Sequence, residues 1–180
     1  MSRCIAFLRA VNVGGHLVKM DALRAALEAL GLTGVQTFIA SGNVIFETRA
    51  RDLAALERKI EAHLQGVFGF EIHTFIRTEA ELAALVAHPA FGPTAIDAAN
   101  THVIGFLANA PNAQARDLIA GFGNDADQFH FHERELYWLS THKQSEATFS
   151  NAAFEKALKM RTTFRGISTL RKLLGKVQSL

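Results

Sequence analysis

Apolar residues at every second position and apolar residues at helical spacing take turns along this chain, and their order restricts the folds open to it. Residues 3–9 read as a strand, and from Asp21 to Leu30 the positions Leu23, Ala26, Leu27 and Leu30 follow helical spacing, with Gly31 as a stop. Two short strands, VQTFIA at 35–40 and NVIFE at 43–47, flank Ser41-Gly42, a hairpin signal. Residues 52–66 predict a second helix on Leu53, Leu56, Ile60 and Leu64, and FEIHTFI at 70–76 predicts a further strand. The first half therefore reads β-α-β-β-α-β, the pattern of a ferredoxin-like sheet.

Thr78 with Glu81 three residues on forms a capping box, which opens a third helix carried by Leu82, Leu85 and Val86. The stretch 88–100 holds two of the three prolines and reads as a linker. Beyond it come a strand at 101–108, a helix from Asn112 to Ala120, a strand at 127–132 and its hairpin partner at 135–140. Two helices, near Asn151–Lys159 and Ile167–Val177, close the chain. The expected fold class is α+β, with two tandem ferredoxin-like halves of βαββαβ type, antiparallel sheets and C-terminal helices. The expected division is an N-terminal half at 1–77, a helix and Pro-containing linker at 78–100, and a C-terminal half with a basic helical tail at 101–180.

A chain of 180 residues, 49% hydrophobic and 20% charged, has enough apolar material to bury a core. No apolar run approaches the roughly 20 residues that cross a bilayer, so no membrane association is expected. Arg9 and Asn12 interrupt the early apolar segment, and no small-residue cleavage site follows it, so it reads as the first strand of a cytoplasmic protein. Cys4, the single cysteine, allows no internal disulfide and agrees with a reducing compartment. Its apolar flanks Ile5 and Phe7 point to a buried thiol.

The net charge of +2 hides an asymmetry. Residues 156–180 contain seven Lys and Arg and no acid, whereas the other twelve basic residues face all seventeen acids and leave −5 on the rest. Such an end fits either a solvated helix face or a surface for phosphates.

In the ferredoxin-like order 4-1-3-2, the first and second strands point the same way, so their C-terminal ends lie together. That places the loop after the first strand beside the 41–43 hairpin. Arg9, Asn12, Gly14, Gly15, Ser41, Gly42 and Asn43 should therefore share one edge. Arginine offers a bidentate cation, the asparagines amide donors and acceptors, serine a hydroxyl, and Gly14-Gly15 backbone N–H groups near a helix start. This inventory suits a phosphate or carboxylate, although a tight strand-to-helix connection and an ordinary turn explain the same residues.

The segments LRAVNVGG (8–15), VKMDALRAALEALG (18–31) and VQTFIASGNVIF (35–46) resemble the signature of a bacterial family, domain of unknown function 1697. A shorter tail match, TFRGIST (163–169), offers Thr163, Arg165 and Thr169. The chain departs from the family pattern in having Ala10 for Gly, a shorter loop before Met20, Gly166 for Asn, and Ile167 for an aromatic residue. The resemblance implies a two-part α+β fold related to the ferredoxin-like arrangement, and no settled activity. It adds Thr163, Arg165 and Thr169 to the candidate ligand-binding residues, and the basic tail leads to the expectation that Arg165 and Thr169 reach the pocket of Arg9; helix capping by Thr163 or Ser168, with Arg165 paired to an acid of the body, is the alternative.

Several chemistries lack their patterns. GxxxxGK[ST], GxGxxG and GxSxG are missing, so no nucleotide cofactor and no serine nucleophile is expected, and no catalytic residue is assigned. His130 and His132 share a strand face by period two, but no HExxH or CxxC accompanies them, and no metal site is expected. Three readings stay open. The first is a binding protein for a phosphorylated or anionic small molecule. The second is an enzyme acting on such a molecule. The third is a module for nucleic acid, with Phe7 and Phe46 on its central strands, or for a protein partner, including a homodimer surface around Tyr137 and Trp138.

Overall fold

The computed structural model describes residues 1–39, 41–146 and 150–180. Ala40, the last residue of the expected second strand, lies outside them. The chain divides into two units, Met1–Ala83 with Leu173–Leu180, and Ala84–Lys172.

In the first unit, β1 (Ser2–Leu8), β2 (Thr33–Phe38), β3 (Asn43–Thr48) and β4 (Thr74–Thr78) form an antiparallel sheet in the order β2-β3-β1-β4. The register sets Ile5 opposite both Ile45 and Arg77. Helices α1 (Met20–Ala29) and α2 (Leu53–Phe68) cover one face, where Cys4, Ala6, Leu8 and Phe46 meet Leu23, Leu27, Ile60 and Leu64. The i, i+4 spacing of Leu56, Ile60 and Leu64 gives α2 its apolar stripe. The Asp52 side chain caps it by accepting from Ala55 N at 2.9 Å, and Gly69 ends it in the left-handed region. Ile5, Phe7, Ile45 and Phe75 alternate with these core residues and are also buried, so both faces of the sheet are dry. That accounts for the unbroken apolar run CIAFL in β1.

Several boundaries differ from those read in the sequence, two of the strands most. Strand β2 starts at Thr33, and its register shifts between Thr33 and Gln36, around Gly34 at φ 60°. Strand β4 begins at Thr74 instead of Phe70 and runs on to Thr78. It pairs only with β1, so alternate N–H groups face away from the sheet. Glutamates accept them: Glu61 takes Thr74 N at 2.8 Å, Glu57 takes Ile76 N at 2.6 Å, and Glu81 takes Thr78 N at 2.7 Å. The last bond belongs to the capping box, completed by Glu81 N donating to Thr78 Oγ1 at 3.1 Å.

The second unit repeats the connectivity. Its strands β5 (Thr101–Phe106), β6 (Asp127–His132), β7 (Glu135–Ser140) and β8 (Thr163–Gly166) lie antiparallel in the order β6-β7-β5-β8. Between them run α5 (Ala113–Ala120), capped by Asn112, and α6 (Asn151–Leu158), capped by Ser150. Val103, Leu107, Ile119, Leu136, Trp138, Phe154 and Leu158 form the core. Trp138 Nε1 donates to Asp127 at 2.9 Å. Burial works to raise that carboxyl, but hydrogen bonds from Trp138, Ser140 and Asn124 outweigh it and hold Asp127 below the usual range.

Three further helices complete the chain. They are α3 (Glu79–Ala87), α4 (Pro93–Asp97), which lies within the stretch expected as linker, and α7 (Ile167–Gln178). Strand β8 replaces the simple helix cap expected at 163–169, and it pairs with β5 so that Ile104 faces Arg165. This matches Ile5 facing Arg77. In each strand the arginine Nη1 donates to the carbonyl just before it, Ile76 O at 2.8 Å or Phe164 O at 2.9 Å.

Candidate functional site

The edge of the first unit where β1 and β2 end brings together seven of the residues singled out in the sequence. Leu8 N donates to Gly42 O at 2.7 Å, and Arg9 N to His73 O at 2.8 Å, so the loop after β1, the β2–β3 hairpin and the approach to β4 meet. Within the loop, His16 N donates to Val13 O at 3.1 Å and Asn12 N to His16 O at 2.9 Å. These bonds close a two-residue turn on Gly14 and Gly15, whose φ angles of 60° and 86° are those a mirror-image hairpin turn demands. The glycine pair is thus a tight turn.

Most of the polar side chains hold the edge itself in shape. Asn12 Oδ1 accepts from Val18 N at 2.8 Å, fixing the return toward α1. Asn43, only 1% exposed, donates from Nδ2 to Ser41 Oγ at 2.8 Å and to Phe38 O at 3.4 Å. Arg9 is half-buried beside them. His16 stacks on Phe70 with ring centroids 4.2 Å apart, and His73 lies 3.8 Å from both Glu61 and Glu71.

Backbone strain is concentrated here. Ala10, Asn12 and Ile39 have φ of 69°, 56° and 51°, alongside Gly14, Gly15 and Gly42. A side chain in the left-handed region costs on the order of 1–3 kcal/mol, most for a β-branched residue such as Ile39. At Gly42 a Cβ would come within 3.0 Å of Leu8 O, so only glycine fits. The edge also shows large apolar side chains to solvent, with Leu17 87%, Val13 59% and Ile39 54% exposed. These three residues were missed by a reading that searched for polar chemistry. The sequence did not single them out, because Val11 and Val18 of the same loop enter the core.

Thr163, Arg165 and Thr169 belong to the other unit, the first two on β8 and the third in the first turn of α7. Arg165 Nη1 donates to Thr163 Oγ1 at 2.7 Å, and burial lowers the guanidinium to about 10. Phe7 and Phe46 are fully buried, on opposite faces of the sheet, and present no ring to a base. Burial, with the charge of Glu81, pushes the Cys4 thiol up to about 11, so it is a protonated packing group.

His130 and His132 acquire a partner that the sequence did not point to. His88 Nε2 lies 3.1 Å from His130 Nε2, and its ring stacks on His132 with centroids 3.9 Å apart. Among the described residues, no group of three or more His, Cys, Asp or Glu is arranged to hold a metal ion. Among them too, no helix is long and apolar enough to cross a membrane.

The fold is shared with a structure solved for a conserved bacterial protein from Streptococcus pneumoniae, at a TM-score of 0.72 and 21% identity over 99% of both chains. No curated protein matches the chain. The family described as "Protein of unknown function (DUF1697)" matches residues 1–137. That span contains the whole edge and stops short of TFRGIST. By this match over most of its length, the chain belongs to the DUF1697 family.

Proposed function

We propose that the β1–α1 and β2–β3 edge is a preorganised recognition site that takes a phosphorylated or otherwise anionic ligand beside Arg9. The observation that carries this reading is the concentration of left-handed residues, Ala10, Asn12, Gly14, Gly15, Ile39 and Gly42, at one edge of one sheet. For Ala10 and Ile39 that conformation is strained, and such strain persists only where the surroundings enforce it and gathers at sites that bind. Asn12, Ser41 and Asn43 act as the frame, and Arg9 supplies the charge.

Calorimetry of the full chain against sugar phosphates and nucleotides tests it. A ligand at about a hundred times its Kd adds about 2.7 kcal/mol of stability. The gain is expected for one phosphorylated class and lost in Arg9→Gln. Silence across the panel, or equal binding by Arg9→Gln, removes the reading.

The exposure of Leu17, Val13 and Ile39 favours a second reading, in which the same edge docks a protein segment. Leu17→Asp would then abolish the association and leave phosphate binding intact.

The matching strand orders and the corresponding cross-strand pairs Ile5–Arg77 and Ile104–Arg165 also support reading the units as tandem copies of one ferredoxin-like plan. The single buried Cys4 fits a reducing, cytoplasmic setting.

A further inference from the structure

The second unit contains a cavity of about 250 Å³ that the recognition edge does not involve. His102 of β5 and Tyr137 of β7 contribute from the sheet, Leu85 from α3, Phe91 and Ile96 from the segment around α4, and Arg171 from α7. Most of the remaining lining is hydrocarbon. None of the described residues lining the cavity is acidic, and Arg171 is the only lining residue that is always charged. The other polar groups are subdued, His88 among them, which burial and then the charges of His132 and His130 lower. The Tyr137 hydroxyl donates to Leu85 O at 2.9 Å, and burial raises its pKa, so it stays a phenol. His102 lies edge-on to Phe91 at 5.9 Å, and burial, reinforced by the charge of Arg171, keeps it neutral.

An apolar cavity of about 150 Å³ holds a benzene molecule, so this one has room for a single ring and a small polar group. A lone guanidinium beside hydrocarbon walls selects a group that is planar, singly charged and able to accept two parallel hydrogen bonds, which describes a carboxylate. A phosphate dianion would bring a second negative charge that nothing in the lining meets.

We propose that this cavity binds a small carboxylic acid with an apolar body, its carboxylate on Arg171 and its body between Leu85, Phe91 and Ile96. Calorimetric titration of the full chain with benzoate, phenylacetate and hexanoate, against benzyl alcohol and phenyl phosphate, tests it. At least one carboxylate is expected to bind one to one, with phenyl phosphate weaker. Arg171→Gln, at an exposed position, should weaken carboxylate binding by about tenfold or more, the usual loss for a charged hydrogen-bonding partner. Its benzyl alcohol binding should not change. Ala90→Phe, which fills the lining, should remove both, and if that variant does not fold, Arg171→Gln decides alone. Failure of all three carboxylates to bind the wild type, undiminished binding by Arg171→Gln, or phenyl phosphate binding that is tighter than theirs and lost in Arg171→Gln would overturn the assignment.

Discussion

Ile39 shows at the scale of one residue how strain and function separate. A β-branched side chain at φ 51° is held against its own preference, whereas Asn tolerates that region. Ile39→Asn is expected to stabilise the protein by about 1 kcal/mol, roughly 2–4 °C of melting midpoint in a chain this size, while leaving anion binding beside Arg9 intact. Melting curves and ligand titration on one sample check both halves of that statement. Gly105 carries the opposite lesson. A Cβ there would lie 2.6 Å from the Phe164 ring, which packs against Trp138 and Phe154 and has nowhere to go. Gly105→Ala should therefore cost about 1–3 kcal/mol in chemical denaturation. The sequence made the grouping of Arg9, Asn12, Gly14, Ser41 and Asn43 legible through strand order. It did not reveal that Asn12, Ser41 and Asn43 face inward to bond their own loops, because those bonds depend on how the loops close and not on spacing.

Among the elements, β4 shows how an open strand edge is guarded. Three carboxylates accept its outward N–H groups, and Glu57 is buried while doing so. Glu57→Ala would leave Ile76 N unsatisfied in a dry setting and should lower stability by about 1–3 kcal/mol, with Glu57→Gln recovering most of it by keeping an acceptor. Urea melts of the two variants distinguish the hydrogen bond from the packing. The apolar stripe of α2 and the Thr78–Glu81 box were readable because each repeats at fixed spacing. Strand β8 was not, since four residues with a central arginine are too few to show alternation. The contact of His88 with His130 and His132 was equally hidden, joining the end of α3 to β6 across some forty residues of sequence. Burial lowers His88 and His130, the charge of His132 adds to it, and Arg116 acts further on His130. A histidine whose folded pKa is depressed stays neutral while the unfolded chain takes up a proton. Its stabilisation is complete above about pH 6.5 and is lost as the pH falls from there toward the lowered folded values. The melting midpoint should fall over that range, and His88→Gln should flatten the fall.

Over the whole molecule, two halves of similar order were visible in the sequence, but the allegiance of the final helix was not. Leu173–Leu180 cluster with the first unit, where Leu173 and Val177 are fully buried and Arg3 Nη1 donates to Val177 O at 3.1 Å. Sequence patterns report neighbours along the chain, and this bond joins residues 174 positions apart. Removing residues 173–180 should therefore destabilise the first unit, since the loss of even one buried aliphatic side chain costs about 2–5 kcal/mol. Residue-resolved hydrogen exchange would place the lost protection in residues 1–83.

The same discontinuity sets an order of events on the ribosome. Residues 84–172 form a contiguous unit that can settle as it emerges, in the domain-by-domain manner of vectorial synthesis. The strands of the first unit are translated before residues 84–172, and that unit is completed only when residues 173–180, beyond the second unit, have left the exit tunnel. Until then its strands wait without the cover of Leu173 and Val177, and a chaperone would have a longer hold on it than on the second unit.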